Sequence, residues 1–115
     1  MYAESMPGKF LAEFELYLML AIAQLGADAY GAAIRQEIEA RTRRPISIGA
    51  LYATLARLEA KGMLTTRTAP SEPGQRGRPR RYCRLTPQGR TARQHSAAML
   101  TRMMAGLQFS PAPRK

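Results

Sequence analysis

Five arginines fall within the thirteen residues GQRGRPRRYCRLT (74–86): Arg76, Arg78, Arg80, Arg81 and Arg84. Guanidinium groups at this density suit bidentate contacts to phosphate oxygens or to the edge of guanine. The run Arg-Gly-Arg-Pro (76–79) has the form of a hook for a narrow minor groove, whose negative potential draws arginine. Other chemistry is poorly provided for. Cys83 and His95 stand twelve residues apart and make no metal cluster. As nucleophile and base they would have to converge from a strand and a distant helix, with no oxyanion donor in evidence. Glu37 and Glu39 point to different sides of a helix among cations. The expectation is therefore a binding protein, not an enzyme, with no metal and no cofactor.

The charge distribution agrees. Residues 1–72 hold eight basic and eight acidic side chains, whereas residues 73–115 hold ten basic ones and no acidic one, so the whole net charge of +10 lies in the last part of the chain. A one-sided basic footprint points to a polyanion as partner; a solvated surface that only aids solubility is the plainer reading. One cysteine excludes an internal disulfide and fits a reducing compartment. The run LYLMLAIAQLG (16–26), with Lys9 upstream, resembles a secretory signal, but Glu13 and Glu15 spoil the basic leader. It is also shorter than the roughly 20 apolar residues a membrane span needs. A cytoplasmic chain with no membrane contact is expected.

The arginines need elements to hold them. Leu11, Phe14, Leu18, Ile22 and Leu25 recur at helical spacing and predict a helix over 9–25, closed by Gly26. Tyr30, Ile34 and Ile38 predict a second helix to about Arg43, with Arg35, Glu37, Glu39 and Arg41 outward and Pro45 forcing its end. Ser47 is an N-cap for a third helix ending at Gly62, its inward stripe being Ile48, Leu51, Leu55 and Leu58. Opposite that stripe stand Gly49, Ala50, Ala53, Ala56 and Arg57, with Tyr52 and Thr54 on the flanks. Small residues there let another body approach the backbone closely. MLTTRTA (63–69) and RRYCRL (80–85) read as strands around a Pro/Gly loop. Alternation places Cys83 and Leu85 inward and Tyr82 and Arg84 outward, which makes Cys83 a small core residue. Thr86 and Pro87 start a fourth helix over 87–107, whose end carries Met99, Leu100, Met103, Met104 and Leu107 on a wide apolar face.

Three helices followed by a basic hairpin is the element order of a winged helix-turn-helix, which lays its third helix in the major groove. The fold class expected is mainly α with a small β-hairpin. It comprises a winged-helix domain over 9–86, a dimerisation helix over 87–107 and a disordered tail over 108–115. Ser47, Tyr52 and Thr54 offer hydroxyls to phosphate and Arg57 a charge. The apolar end of the fourth helix exceeds what its own small domain can cover. It predicts a homodimer seam, with Leu11 and Phe14 of the first helix contributing.

The segments DAYGAAIRQEIEARTRR (28–44), SIGALYATLARLEAKGML (47–64) and GRPRRYCRLTPQGR (77–90) resemble the PadR family of bacterial transcriptional regulators, over about 80 of the 115 residues. The resemblance implies double-stranded DNA as partner, a homodimer built through the C-terminal helix, and usually repression. The DNA-contacting positions it implies are Ser47, Gly49, Ala50, Tyr52 and Thr54, then Gly77, Arg78, Pro79, Arg80 and Arg81. Cys83 departs from it, standing where a larger residue is common. With a single short C-terminal helix, as in the family's compact branch, no separate effector domain is expected, and any small-molecule effector is expected at the dimer interface. Two alternatives remain open: a basic protein binding nucleic acid nonspecifically or architecturally, and an interaction module that has lost DNA binding.

Overall fold

An apolar run with few polar interruptions must be covered on several sides, and the first helix is. In α1 (Glu13–Leu25), Leu16, Leu18, Met19, Ala21 and Ile22 are all buried. The computed structural model describes residues 11–70 and 79–108. Of the helix expected from residue 9, residues 9 and 10 lie outside that range, and Leu11 and Ala12 precede the first turn. The Ala12 N–H donates to Glu15 Oε1 at 3.1 Å and closes that turn, which satisfies one of the orphan donors of a helix start. A short 3-10 turn, Gly26–Asp28, follows.

Helix α2 (Gly31–Thr42) buries Gly31, Ile34 and Ile38. It ends before Pro45 acts, because Arg43 takes the left-handed conformation at φ 61°. The chain then folds back on the helix, and this corrects two side chains expected to face out. Arg35 Nε donates to the Ile46 carbonyl at 2.8 Å, and Glu39 Oε2 accepts from the Ile46 N–H at 2.7 Å. With Arg35 and Glu39 3.5 Å apart, the pair clamps the turn into the next helix.

Helix α3 (Ile48–Ala60) starts where its cap requires, Ser47 Oγ accepting from the Ala50 N–H at 3.0 Å. Its buried stripe is Leu51, Thr54, Leu55 and Leu58, the i, i+3, i+4, i+7 spacing of one helical face. Ile48, expected inward, stands in the protruding first turn and is 56% exposed. Thr54 takes an inward place instead.

Strands β1 (Leu64–Ala69) and β2 (Arg80–Leu85) pair antiparallel, Leu64 opposite Leu85 and Ala69 opposite Arg80. Leu64, Cys83 and Leu85 are buried on the inner face, as alternation required. A further connection was not legible. Tyr30 bridges to Tyr82, and the Cys83 N–H donates to the Ala29 carbonyl at 2.7 Å, so the approach to α2 flanks the hairpin as a third extended segment.

Helix α4 (Pro87–Met104) is fastened at its start. Thr86 Oγ1 accepts from the Gly89 N–H at 2.9 Å and donates to the Gly62 carbonyl at 2.7 Å. Gly89, Ala92 and Ser96 are buried, and Ser96 Oγ accepts from the Leu11 N–H at 3.3 Å. The helix ends three residues earlier than expected, at Met104. Every residue from Leu100 to Gln108 is exposed; the rest of the expected tail lies outside the described residues. No helix among those residues is long and apolar enough to cross a membrane.

Candidate nucleic-acid interface

Residues 49, 53, 56 and 60 lie within about 60° of one another on a helix turning 100° per residue. In α3 they are Gly49, Ala53, Ala56 and Ala60, all exposed. The most prominent side of α3 thus carries nothing longer than a methyl group. Ser47 and Ala50 are exposed at its first turn, with the Ser47 oxygen held at the cap.

Tyr52 borders this face and is 41% exposed. Its ring runs over the start of α2, so close that a Cβ on Gly31 would fall 2.1 Å from the Tyr52 hydroxyl oxygen. Thr54 does not offer its hydroxyl outward. It is 2% exposed, and its Oγ1 accepts from Arg57 Nη2 at 3.0 Å. Arg57 also lies 3.7 Å from Glu15, which draws it towards α1.

Glu15, which in the sequence only argues against a basic leader, has a structural role. Its carboxylate is buried, 2.9 Å from Lys61 Nζ. Burial would raise its pKa, but the Lys61 hydrogen bond, the Ala12 N–H and the charges of Lys61 and Arg57 outweigh that and hold it below the ordinary carboxylate value.

The hairpin is held beside α3 by Glu59, which accepts from Thr66 Oγ1 at 3.1 Å and lies 3.6 Å from Arg81. At the base of the loop, Arg80 stacks over Tyr30 with its guanidinium carbon 4.4 Å from the ring centroid, and Arg67 sits 4.8 Å from that of Tyr82. The two tyrosines meet edge to face at 5.5 Å. Stacking of this kind orients guanidinium groups without neutralising them. Pro79 is exposed at the start of β2. Arg76, Gly77 and Arg78, the remaining wing positions, lie outside the described residues. Cys83 is buried beneath the hairpin, and burial pushes its thiol pKa up to about 11, which leaves it a core residue rather than a reactive one.

At the other end of the molecule, Leu100, Met103, Met104 and Leu107 are exposed, Met103 by 77%. Met99 is half-buried. Leu11 and Phe14 are half-buried against their own core.

A capped helix with a bare outward face, clamped to its predecessor and flanked by an arginine-bearing hairpin, defines a winged helix-turn-helix. The family model for the PadR-like transcriptional regulators matches residues 19–95, and the chain belongs to that family. Among solved structures it is similar to a PadR-like transcription factor from Bacteroides fragilis, with 27% identity, a TM-score of 0.66, and coverage of 78% of this chain and 82% of that one. It is also similar to a PadR family transcriptional regulator from Eggerthella lenta, with 29% identity, a TM-score of 0.60, and coverage of 82% and 83%. A transcriptional regulator from Clostridium thermocellum shares the fold at 24% identity and a TM-score of 0.61, over 78% and 82%. No curated protein matches the sequence.

Proposed function

We propose that this regulator binds a pseudo-palindromic operator as a homodimer and acts as a repressor. In this reading α3 lies in the major groove, and the arginines at the head of β2 lie on the backbone or in the minor groove. The observation that carries it is the bare face of α3, Gly49–Ala53–Ala56–Ala60, beside a hairpin that Glu59 holds in place. A helix meant for solvent presents long charged side chains on its outer side. One without them lets its backbone approach the groove walls, with Ser47, Ala50 and Tyr52 at the edges. The stacked Arg80, with Arg78 and Arg76 ahead of it in sequence, supplies the cationic contact. Thr54 has no part in this surface, since its hydroxyl is buried, and Arg57 serves mainly the joint with α1.

Replacing Arg78 and Arg80 by Ala tests the wing. Operator affinity should fall about tenfold or more, and the slope of log affinity against log salt should flatten by up to about two. Unchanged affinity would refute the assignment. A purely nonspecific polyanion binder is distinguished by footprinting, because it would protect no single site and would lose affinity with salt equally on all sequences.

A further inference from the structure

Tyr30 stands where three elements meet. Its carbonyl accepts from the Ile34 N–H at 2.8 Å and so opens α2. Its backbone, extended at φ -120° and ψ 166°, bridges to Tyr82 of β2. The preceding Ala29 is buried, and its carbonyl accepts from the Cys83 N–H at 2.7 Å. The following Gly31 seats the Tyr52 ring of α3, whose hydroxyl oxygen lies 2.1 Å from where a Cβ would stand. A backbone held by a helix start and by a strand together sets the direction of its own side chain.

The Tyr30 ring takes the side of the hairpin away from α3. Arg81 turns towards α3 through Glu59, so its neighbours Arg80 and Tyr82 belong to the opposite face. Tyr30, paired with Tyr82, shares that face. The two rings meet edge to face at 5.5 Å and 66°, and the Arg80 guanidinium carbon lies 4.4 Å from the Tyr30 centroid. Arg80 is exposed and opens β2, opposite Ala69 at the end of β1. An arginine at such a place has many rotamers to lose when it binds. A ring that already holds its guanidinium removes part of that loss. Stacking engages the flat face of a guanidinium, whereas its N–H donors lie along the edge and can still meet a phosphate or a base. We infer that Tyr30 is a positioning residue for the hairpin's DNA contact. Its ring holds Arg80 in the binding orientation, and its backbone ties that orientation to α2 and, through Gly31 and Tyr52, to α3. This role rests on the operator reading above.

The test is a double-mutant cycle on the full-length chain, read as operator affinity at one salt concentration. Tyr30→Leu keeps an apolar side chain without the aromatic face, and Tyr30→Phe keeps the face. Tyr30→Leu should weaken binding about threefold to fivefold, the range that a contact between a cation and a ring supplies. Tyr30→Phe should bind like the parent. In an Arg80→Ala background, Tyr30→Leu should cost less than about twofold, because the group it positions is already gone. A tyrosine that merely supports the hairpin would weaken binding as much without Arg80 as with it, and that outcome overturns the inference. Parental affinity in Tyr30→Leu overturns it too. A second measurement needs neither DNA nor the Leu variant. In the free protein the Arg80 side-chain protons should resonate upfield through the ring current of Tyr30, and stay there in Tyr30→Phe. Unshifted resonances overturn the inference even if Tyr30→Leu fails to fold. A parent that selects no operator, with the upfield shift present, brings down the operator reading and this role with it. A parent that binds its operator with no coupling between Tyr30 and Arg80 overturns the inference alone.

Discussion

Two glycines show how much one missing methyl group can decide. A Cβ at Gly31 would meet the far end of the Tyr52 side chain, at 2.1 Å from its oxygen, whereas a Cβ at Gly89 would meet the Met63 carbonyl oxygen at 1.9 Å. A half-exposed tyrosine can swing aside; backbone that also accepts the Thr86 N–H at 3.1 Å cannot. Gly31→Ala should therefore cost under about 1 kcal/mol of stability, against about 2–3 kcal/mol for Gly89→Ala. Urea unfolding compares the two directly, and equal costs would contradict this account. Because Gly31→Ala dislodges Tyr52, it should also weaken operator binding as much as Tyr52→Ala does. If it binds as well as the parent, the seating of Tyr52 does not matter to recognition. The sequence announced the start of α4 through Thr86 and Pro87, whose signals are local. It could not announce that Gly89 must be glycine, because the obstacle is a carbonyl twenty-six residues away.

At the scale of elements, apolar spacing located the four α-helices and the two strands of the described residues, because burial imposes the period that the eye reads. The errors lie where polar groups decide orientation. Ile48 and Thr54 exchanged places because hydrophobicity alone ranks isoleucine inward, while helix geometry puts position 54 with Leu51 and Leu58. Arg35 and Glu39 were read as solvated, yet both serve the Ile46 backbone. Glu15 is the most consequential case. Its carboxylate joins the first turn of α1 to the last turn of α3 through Lys61 and Arg57, and partners this far apart leave no local pattern. Its pKa is depressed below the ordinary value of 4.5 on folding. The stabilisation it supplies is then complete above that value and disappears as pH falls through the lower folded-state pKa. Glu15→Gln should be less stable than the parent at pH 7, by about 1–2 kcal/mol given that both cations are half exposed. The difference should shrink as the solution is acidified below pH 4.5. Urea midpoints measured from pH 7 to pH 3 check this, and a gap that stays constant would show that the carboxylate charge is not what joins the helices.

The molecule as a whole divides into a core built by α1, α2, α3 and the hairpin, and a helix that outruns it. The first ten residues of α4 bury Gly89, Ala92 and Ser96 against that core, whereas every residue from Leu100 to Gln108 is exposed. Four large apolar side chains, Leu100, Met103, Met104 and Leu107, stand exposed within eight residues. A soluble monomer rarely keeps a contiguous apolar patch of this kind. A twofold-related copy is the commonest way to cover one, since the same patch then meets itself. The sequence could foresee the stripe, because methionine and leucine at helical spacing say that something must be covered. It could not say where the core stops, which depends on Ser96 reaching Leu11. Met103→Glu with Leu107→Glu should separate the copies while leaving each fold intact, because both side chains are exposed within the protomer. Light scattering should give twice the chain mass of 12.8 kDa for the parent and a single chain mass for the variant. Operator affinity should fall with it by about a hundredfold or more, since two half-sites no longer bind as one unit. A monomeric parent, or a variant that stays dimeric, would move the seam elsewhere. A monomeric variant with parental affinity would show that a single α3 suffices for recognition, and that the projecting helix serves some purpose other than spacing two of them.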